Sequence, residues 1–311
     1  MKLVFLDVKT IGEDIDLSMF EEIGEVVRYS YSTEEEIPER VKDADVIIVN
    51  KVLINERTIY SAEKLKLVCV TATGTNILDK DYLEQRGITW RNVAGYSTES
   101  VAQHTFAMLF YLLENMSYYD EYVRDGHYIN DTSFRHFERN FHELHSKTWG
   151  IIGLGSIGRR VAEIARAVGA DIIYYSASGA AAQKGYRQVD FDTLLTRSDI
   201  ISVHAPINRF TEGLMDENAF RKMKKDAIFL NLGRGKIVDE KALVKALQEG
   251  RIKAAGLDVI SGEPMSDHSA LLGELKNDRL LITPHIGWAS VEARTRLMKI
   301  IAGQIRDFYD I

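Results

Sequence analysis

The chain has 311 residues, with 39 basic against 46 acidic side chains and a formal net charge of −7. That length gives room for two domains or one large one, and 45% hydrophobic with 27% charged residues is a globular balance, not a disordered or fibrous one. The acidic excess argues against nucleic acid or an anionic membrane as the main partner, since both call for a basic surface.

The N-terminal run MKLVFLDV reaches Asp7 after four apolar residues, which reads as a buried strand and is too short for a signal peptide. Three more runs, DVIIVN (45–50), KLVCVT (66–71) and ITW (88–90), read as strands buried on both faces. Helical patterns such as VLINERTIYSAE lie between them. The sole cysteine, Cys69, falls in the third run. It has no partner in the chain and is expected as a small buried side chain in a reducing compartment. No stretch approaches the roughly 18 apolar residues of a membrane span, so the expectation is a soluble, cytoplasmic protein.

One long helix is predicted over 97–126, followed by a polar, aromatic-studded stretch to Ser146. A second alternation then starts. Its strands are predicted at 148–154, 171–176, 199–205, 227–233, 253–259 and 280–285, with helices near 158–168, 216–224, 239–248 and 291–309. Strands alternating with helices imply parallel sheets covered by helices. The fold class is therefore α/β, with two doubly wound parallel-sheet domains.

The strand TWGIIGL runs into Gly153-Leu154-Gly155-Ser156-Ile157-Gly158 and then a helical segment. The first glycine permits a tight turn, the second lets backbone approach a pyrophosphate, and the third lets helix and strand pack closely. In this strand–loop–helix setting the pattern predicts a dinucleotide site, NAD or NADP. The next strand commonly ends in an acid that bonds the ribose 2′-hydroxyl. Here Ser176 stands at that place, with Ser178, Lys184 and Arg187 nearby. Hydroxyls and cations suit a 2′-phosphate, which slightly favours NADP. The run Ala180–Ala182 is unusual for a surface loop.

Three polar residues close later strands: Arg234 in NLGRGKIVDEKAL, Glu263 in GLDVISGEP and His285 in TPHIGWAS. Singly, each has a plain structural reading as a turn cap or a solvated charge. Together, beside a nicotinamide, they meet the needs of 2-keto acid reduction. A planar, permanently charged arginine binds a carboxylate and polarises the carbonyl. A histidine gives the carbonyl oxygen its proton, and a carboxylate fixes that histidine's tautomer and favours its charged form. No metal enters this reading.

With GIIGLGSIGRRVA before them, these three motifs resemble the D-isomer-specific 2-hydroxyacid dehydrogenase family over essentially the whole chain. The resemblance implies Arg234 as substrate binder, His285 as acid/base and Glu263 as its partner. It also implies that backbone amides at Thr73 and Gly74 hold the substrate carboxylate. Thr105, the turn His204-Ala205-Pro206, Leu232, Gly233 and Gly287 would contact cofactor, and Asp258 would bond the nicotinamide amide. The implied organisation is a flavodoxin-like substrate domain, 1–98 with 289–311, into which a Rossmann cofactor domain, 99–288, is inserted. Homodimers joined through cofactor domains are implied too, with the aromatic segment 117–145 as the contact.

Within the family, GYSTESVAQHTF and HIGWAS are most similar to glycerate dehydrogenases, also called hydroxypyruvate reductases. Glutamate at 263 disfavours the formate branch, and the stop at Ile311 disfavours the longer phosphoglycerate enzymes. The expected reaction is reduction of a small 2-keto acid, hydroxypyruvate or glyoxylate, to the D-2-hydroxy acid. Pyruvate or a bulkier keto acid is an alternative. A nucleotide-sensing protein of corepressor type is the alternative of another class.

Overall fold

The computed structural model describes residues 1–129, 131–179 and 183–311; the Ala180–Ala182 patch lies outside them. The chain divides into two compact units, Met1–Ser97 with Ala289–Ile311, and Thr98–Trp288. No described helix is long and apolar enough to cross a membrane.

In the first unit, strands β1 (Lys2–Phe5), β2 (Glu25–Arg28), β3 (Val46–Val49), β4 (Leu67–Val70) and β5 (Thr89–Arg91) form a parallel sheet of order β2-β1-β3-β4-β5. Every residue of β3 and β4 is buried, because helices cover both faces of a parallel sheet, and this is why both strands read as unbroken apolar runs. The edge strand β2, EVVR, buries none of its residues fully and gave no such signal. Helices α1 (Ile37–Val41), α2 (Glu56–Ile59) and α3 (Lys80–Gln85) lie between the later strands. The helix expected across VLINERTIYSAE contracts to α2. The side chain of Asn55 accepts the N–H groups of Arg57 and Thr58 and so fixes where that helix starts.

The C-terminal helix, Val291–Tyr309, belongs to this unit. Ser290 caps it by accepting from the Ala293 N–H. Arg294 ties it down, donating to the Ile11 carbonyl at 2.8 Å and to Asp14 Oδ2 at 2.8 Å. Cys69 is fully buried, and burial pushes its thiol up to about 12.

The second unit opens with α4 (Thr98–Leu113) and α5 (Met116–Arg124). The single helix expected over 97–126 breaks between them. Asn115 takes a left-handed conformation, φ +54°, which asparagine tolerates better than most residues. Strand β6 (Thr148–Ile152), helix α6 (Ser156–Ala167), β7 (Asp171–Tyr175), β8 (Arg187–Gln188), α7 (Phe191–Arg197) and β9 (Ile200–Val203) follow. After them come α8 (Glu217–Lys222), β10 (Ile228–Asn231), α9 (Glu240–Gln248), β11 (Ala254–Leu257) and β12 (Leu280–Ile282); the C-terminal helix is α10. The sheet order is β12-β11-β10-β9-β6-β7-β8, parallel throughout. This is the Rossmann order carried one strand further.

Two apolar layers sandwich this sheet. One gathers Leu194, Phe220, Phe229 and Leu243, and the other Phe106, Leu109, Trp149 and Val161. Burying each such side chain contributes about 1.5–3 kcal/mol before entropy is counted. Trp149 satisfies its one polar atom by donating Nε1–H to Ser202 Oγ at 2.9 Å.

Candidate active site

Because all seven strands of the second sheet run parallel, their carboxyl ends lie along one edge, where open α/β sheets bind ligands. The glycine loop follows β6. Gly153 has φ +93°, and a Cβ there would lie 2.8 Å from the Ala205 nitrogen. A Cβ on Gly158 would come within 2.2 Å of the Gly153 carbonyl oxygen, so α6 can pack on the strand only with glycine there. Gly155 differs from both. It precedes α6 without giving a side-chain cap, and a Cβ added to it would meet nothing within 4 Å. Open space above an uncapped helix start, with its N–H groups and positive dipole end, fits a dinucleotide pyrophosphate. Ser156, Ile157 and Gly158 supply the first amides of that helix.

Ser176 closes β7, its hydroxyl 3.2 Å from that of Ser178. Lys184, on the connection that follows, and Arg187, the first residue of β8, are exposed. The His204-Ala205-Pro206 turn closes β9. His204 Nε2 lies 3.1 Å from Ser202 Oγ, and its Nδ1 is buried without a hydrogen-bond partner. Burial pushes this imidazole down to about 3, which keeps it neutral.

The loop Leu232-Gly233-Arg234 closes β10. It is braced by Asn231, a fully buried side chain the sequence reading did not single out. Asn231 Oδ1 accepts the Gly233 N–H at 3.1 Å, and Nδ2 donates to the Arg234 carbonyl at 3.0 Å. Arg234 Nη1 donates to the Gly233 carbonyl at 2.8 Å. At Gly235 a Cβ would collide with the Ile260 backbone, so the arginine turn rests directly on the loop that carries Glu263. That loop is held by Glu240, which accepts the Ser261 N–H at 2.6 Å.

His285 follows β12, and its Nδ1 lies 2.7 Å from Glu263 Oε2. The side chains are 29% and 32% exposed, so both can meet a ligand. A carboxylate only accepts, so Nδ1 carries the hydrogen and Nε2 is the nitrogen left for chemistry. Asp258, at the end of β11, is nearly buried. Burial opposes its ionisation, but hydrogen bonds from His104, Thr283 and the amides of Gly287 and Ile286 outweigh it and hold the carboxyl below its ordinary value.

Three further expected residues lie in other elements. Thr105 is fully buried and donates its hydroxyl to the Val101 carbonyl within α4. Thr73 and Gly74 belong to the first unit, just beyond β4. There Thr73 Oγ1 donates to the Val93 carbonyl at 2.9 Å, and Asn92 Nδ2 donates to the Thr73 carbonyl at 2.6 Å.

This arrangement has close counterparts. Residues 106–287 match the model of the D-isomer specific 2-hydroxyacid dehydrogenase NAD binding domain. The chain is 35% identical over 314 residues to a hydroxypyruvate reductase of Blautia hydrogenotrophica, covering 99% of this chain and 97% of that one. It is 36% identical over 308 residues to a glycerate dehydrogenase of Methylorubrum extorquens, covering 98% and 94%. Among solved structures, an acyclic imino acid reductase in complex with NADPH and D-Arg superposes with a TM-score of 0.87. Its identity is 31%, over 100% of this chain and 97% of that one.

The chain therefore belongs to the D-isomer specific 2-hydroxyacid dehydrogenase family. It is a nicotinamide-dependent oxidoreductase that acts on the CH–OH group of 2-hydroxy acids.

Proposed function

We propose that the chain reduces hydroxypyruvate or glyoxylate to the D-2-hydroxy acid, with His285 as acid/base, Glu263 as its partner and Arg234 as the substrate-binding cation. The observation that carries this reading is the 2.7 Å contact of His285 Nδ1 with Glu263 Oε2, on the same sheet edge as the glycine loop. The substrate names of the relatives at 35% and 36% identity support the substrate class.

When bound, the nicotinamide supplies the hydride that reaches the carbonyl carbon. The chain's own residues do the rest. Arg234 binds the carboxylate and draws electron density toward the carbonyl oxygen. His285 hands its Nε2 proton to that oxygen as negative charge builds there. Glu263, fixed on Nδ1, keeps the ring in the right tautomer and stabilises the imidazolium before transfer. The amides at Thr73 and Gly74 are assigned to the substrate carboxylate. Gly153, Gly155, Ser156, Ile157 and Gly158 are assigned to the pyrophosphate, and Ala205, Pro206, Leu232, Gly233, Asp258 and Gly287 to the rest of the cofactor. Ser176 and Ser178, in place of an acid, support acceptance of NADPH as well as NADH.

A homodimer is the assembly this reading includes. Its support is the aromatic exposure within the 117–145 segment, where Phe134 is 83% and Phe137 70% exposed. A cytoplasmic setting is supported by the buried, unpaired Cys69.

The test follows reduced nicotinamide by absorbance with hydroxypyruvate and with glyoxylate, NADH and NADPH in parallel. Turnover of either acid with NADPH at least matching NADH is the expected result. Turnover only of other keto acids would overturn the substrate assignment, and a strong NADH preference would overturn the role given to Ser176.

A further inference from the structure

His285 has φ +56°. A left-handed conformation at a residue other than glycine costs about 1–3 kcal/mol and persists only where its surroundings enforce it. Those surroundings are specific. Asp258 Oδ1 accepts the Thr283 hydroxyl at 2.7 Å and the Ile286 N–H at 2.9 Å, and Oδ2 accepts the Gly287 N–H at 2.9 Å. One carboxylate thus grips the chain two residues before His285 and one and two residues after it. The Thr283 N–H adds a backbone tie to the Leu257 carbonyl at 2.9 Å.

Gly287 is what lets the turn close, since a Cβ there would lie 2.8 Å from Asp258 Oδ2 and 3.2 Å from His104 Cδ2. Behind the carboxylate stands α4. His104 Nε2 is 3.0 Å from Thr283 Oγ1 and 3.4 Å from Asp258 Oδ1. One turn earlier on the same face of α4, Ser100 donates to the Gly287 carbonyl at 2.7 Å.

The direction of this chain of bonds follows from what each group can do. Asp258 is held ionised by its donors and only accepts, so the one hydroxyl proton of Thr283 goes to it. Thr283 Oγ1 must then accept, and the donor facing it is His104 Nε2–H.

We propose that His104, Thr283 and Asp258 form a positioning set that holds the His285 turn in its left-handed form, and so aims the imidazole at Glu263 and at the substrate oxygen. None of the three needs to exchange a proton in the reaction. The proposal rests on the acid/base reading of His285. It gives Asp258 a role toward the protein that is separate from any contact with the nicotinamide, so the informative substitutions are at Thr283 and His104, away from the glycine loop.

Thr283→Val keeps the shape and removes the hydroxyl. It is expected to lower kcat about 10-fold or more, the order that misplacing a catalytic group carries. Any loss of NADH affinity, read by fluorescence titration, should be smaller than the loss in kcat, because the pyrophosphate cradle is untouched. Thr283→Ser, which restores the hydroxyl, should recover most of the lost rate. His104→Phe should slow kcat similarly, and the double variant should be little slower than either single one, since the two side chains act in one chain of bonds.

His285→Gln is run beside them. A slow His285→Gln with a Thr283→Val and a His104→Phe at wild-type kcat would overturn the positioning set and leave the acid/base reading standing. A His285→Gln at wild-type rate would remove the reading itself, and the proposal with it. If Thr283→Val fails to fold, as judged by circular dichroism, His104→Phe against His104→Gln decides. Recovery of rate by the glutamine, which keeps an N–H donor, supports the set, and equal rates for the two overturn it.

Discussion

The two sheets of this chain each contain a point where strand order reverses, and they treat it in opposite ways. Such a point opens a crevice at the carboxyl ends of the strands, lined by backbone N–H groups that suit an anion. In the first sheet it lies between β1 and β3 and is filled from within. Asp7, 2% exposed, turns its carboxylate onto the N–H groups of Asn50 at 3.0 Å and Lys51 at 2.6 Å. In the second sheet it lies between β6 and β9. There the chain offers glycine at 153 and 155, an uncapped α6 and no acid at 176. One topology carries an internal carboxylate after the first strand of one unit, Asp7, and a glycine loop after the first strand of the other.

The contrast is broken most severely at Gly153. Gly153→Val puts a branched side chain at φ +93° against Ala205. Strain and overpacking together should cost about 2–5 kcal/mol in denaturant unfolding, and NADH titration should show no measurable binding. Unchanged binding would mean the crevice is not the cofactor's.

Asp7→Ala acts at the other crevice. It leaves the Asn50 and Lys51 amides without their acceptor and should cost about 1–3 kcal/mol with NADH affinity unchanged. Weakened cofactor binding in this variant would blur the distinction drawn between the two sheets.

The smallest effect is a pH dependence. His204, at the open crevice, is pushed by burial from 6.5 to about 3. The unfolded chain therefore binds a proton that the folded chain refuses between those values, and stability falls as pH drops below 6.5. By pH 5 the loss from this one group should be about 1–2 kcal/mol, and His204→Asn should flatten that part of the stability curve. An equal slope in the variant would show that the ring is not buried neutral.

Much of this was legible in the sequence, because the information was local. Strands β3, β4, β6 and β9 are largely buried and mostly apolar, and the glycine loop, Arg234, Glu263 and His285 each sit in a short motif near a strand end. What was not legible depends on contacts between distant residues or on weak patterns. His104 meets Thr283 across 179 positions, and Asp7 meets Asn50 across 43; no spacing rule connects them. The edge strands β2 and β8 are short and only partly buried, so periodicity missed them. Asn115 broke a helix that its apolar pattern would have continued. Asn231 offered a faint signal, a polar residue closing an apolar strand just before Leu232-Gly233-Arg234, but its bracing of that loop shows only in three dimensions.

Whether His285 delivers the proton is decided by single-turnover reduction of hydroxypyruvate by the wild-type chain and by His285→Gln, both saturated with reduced nicotinamide. A proton-donating His285 gives a rate about 100-fold lower or more in the variant, the usual size of general acid–base catalysis, with cofactor affinity unchanged. Equal rates would contradict that role.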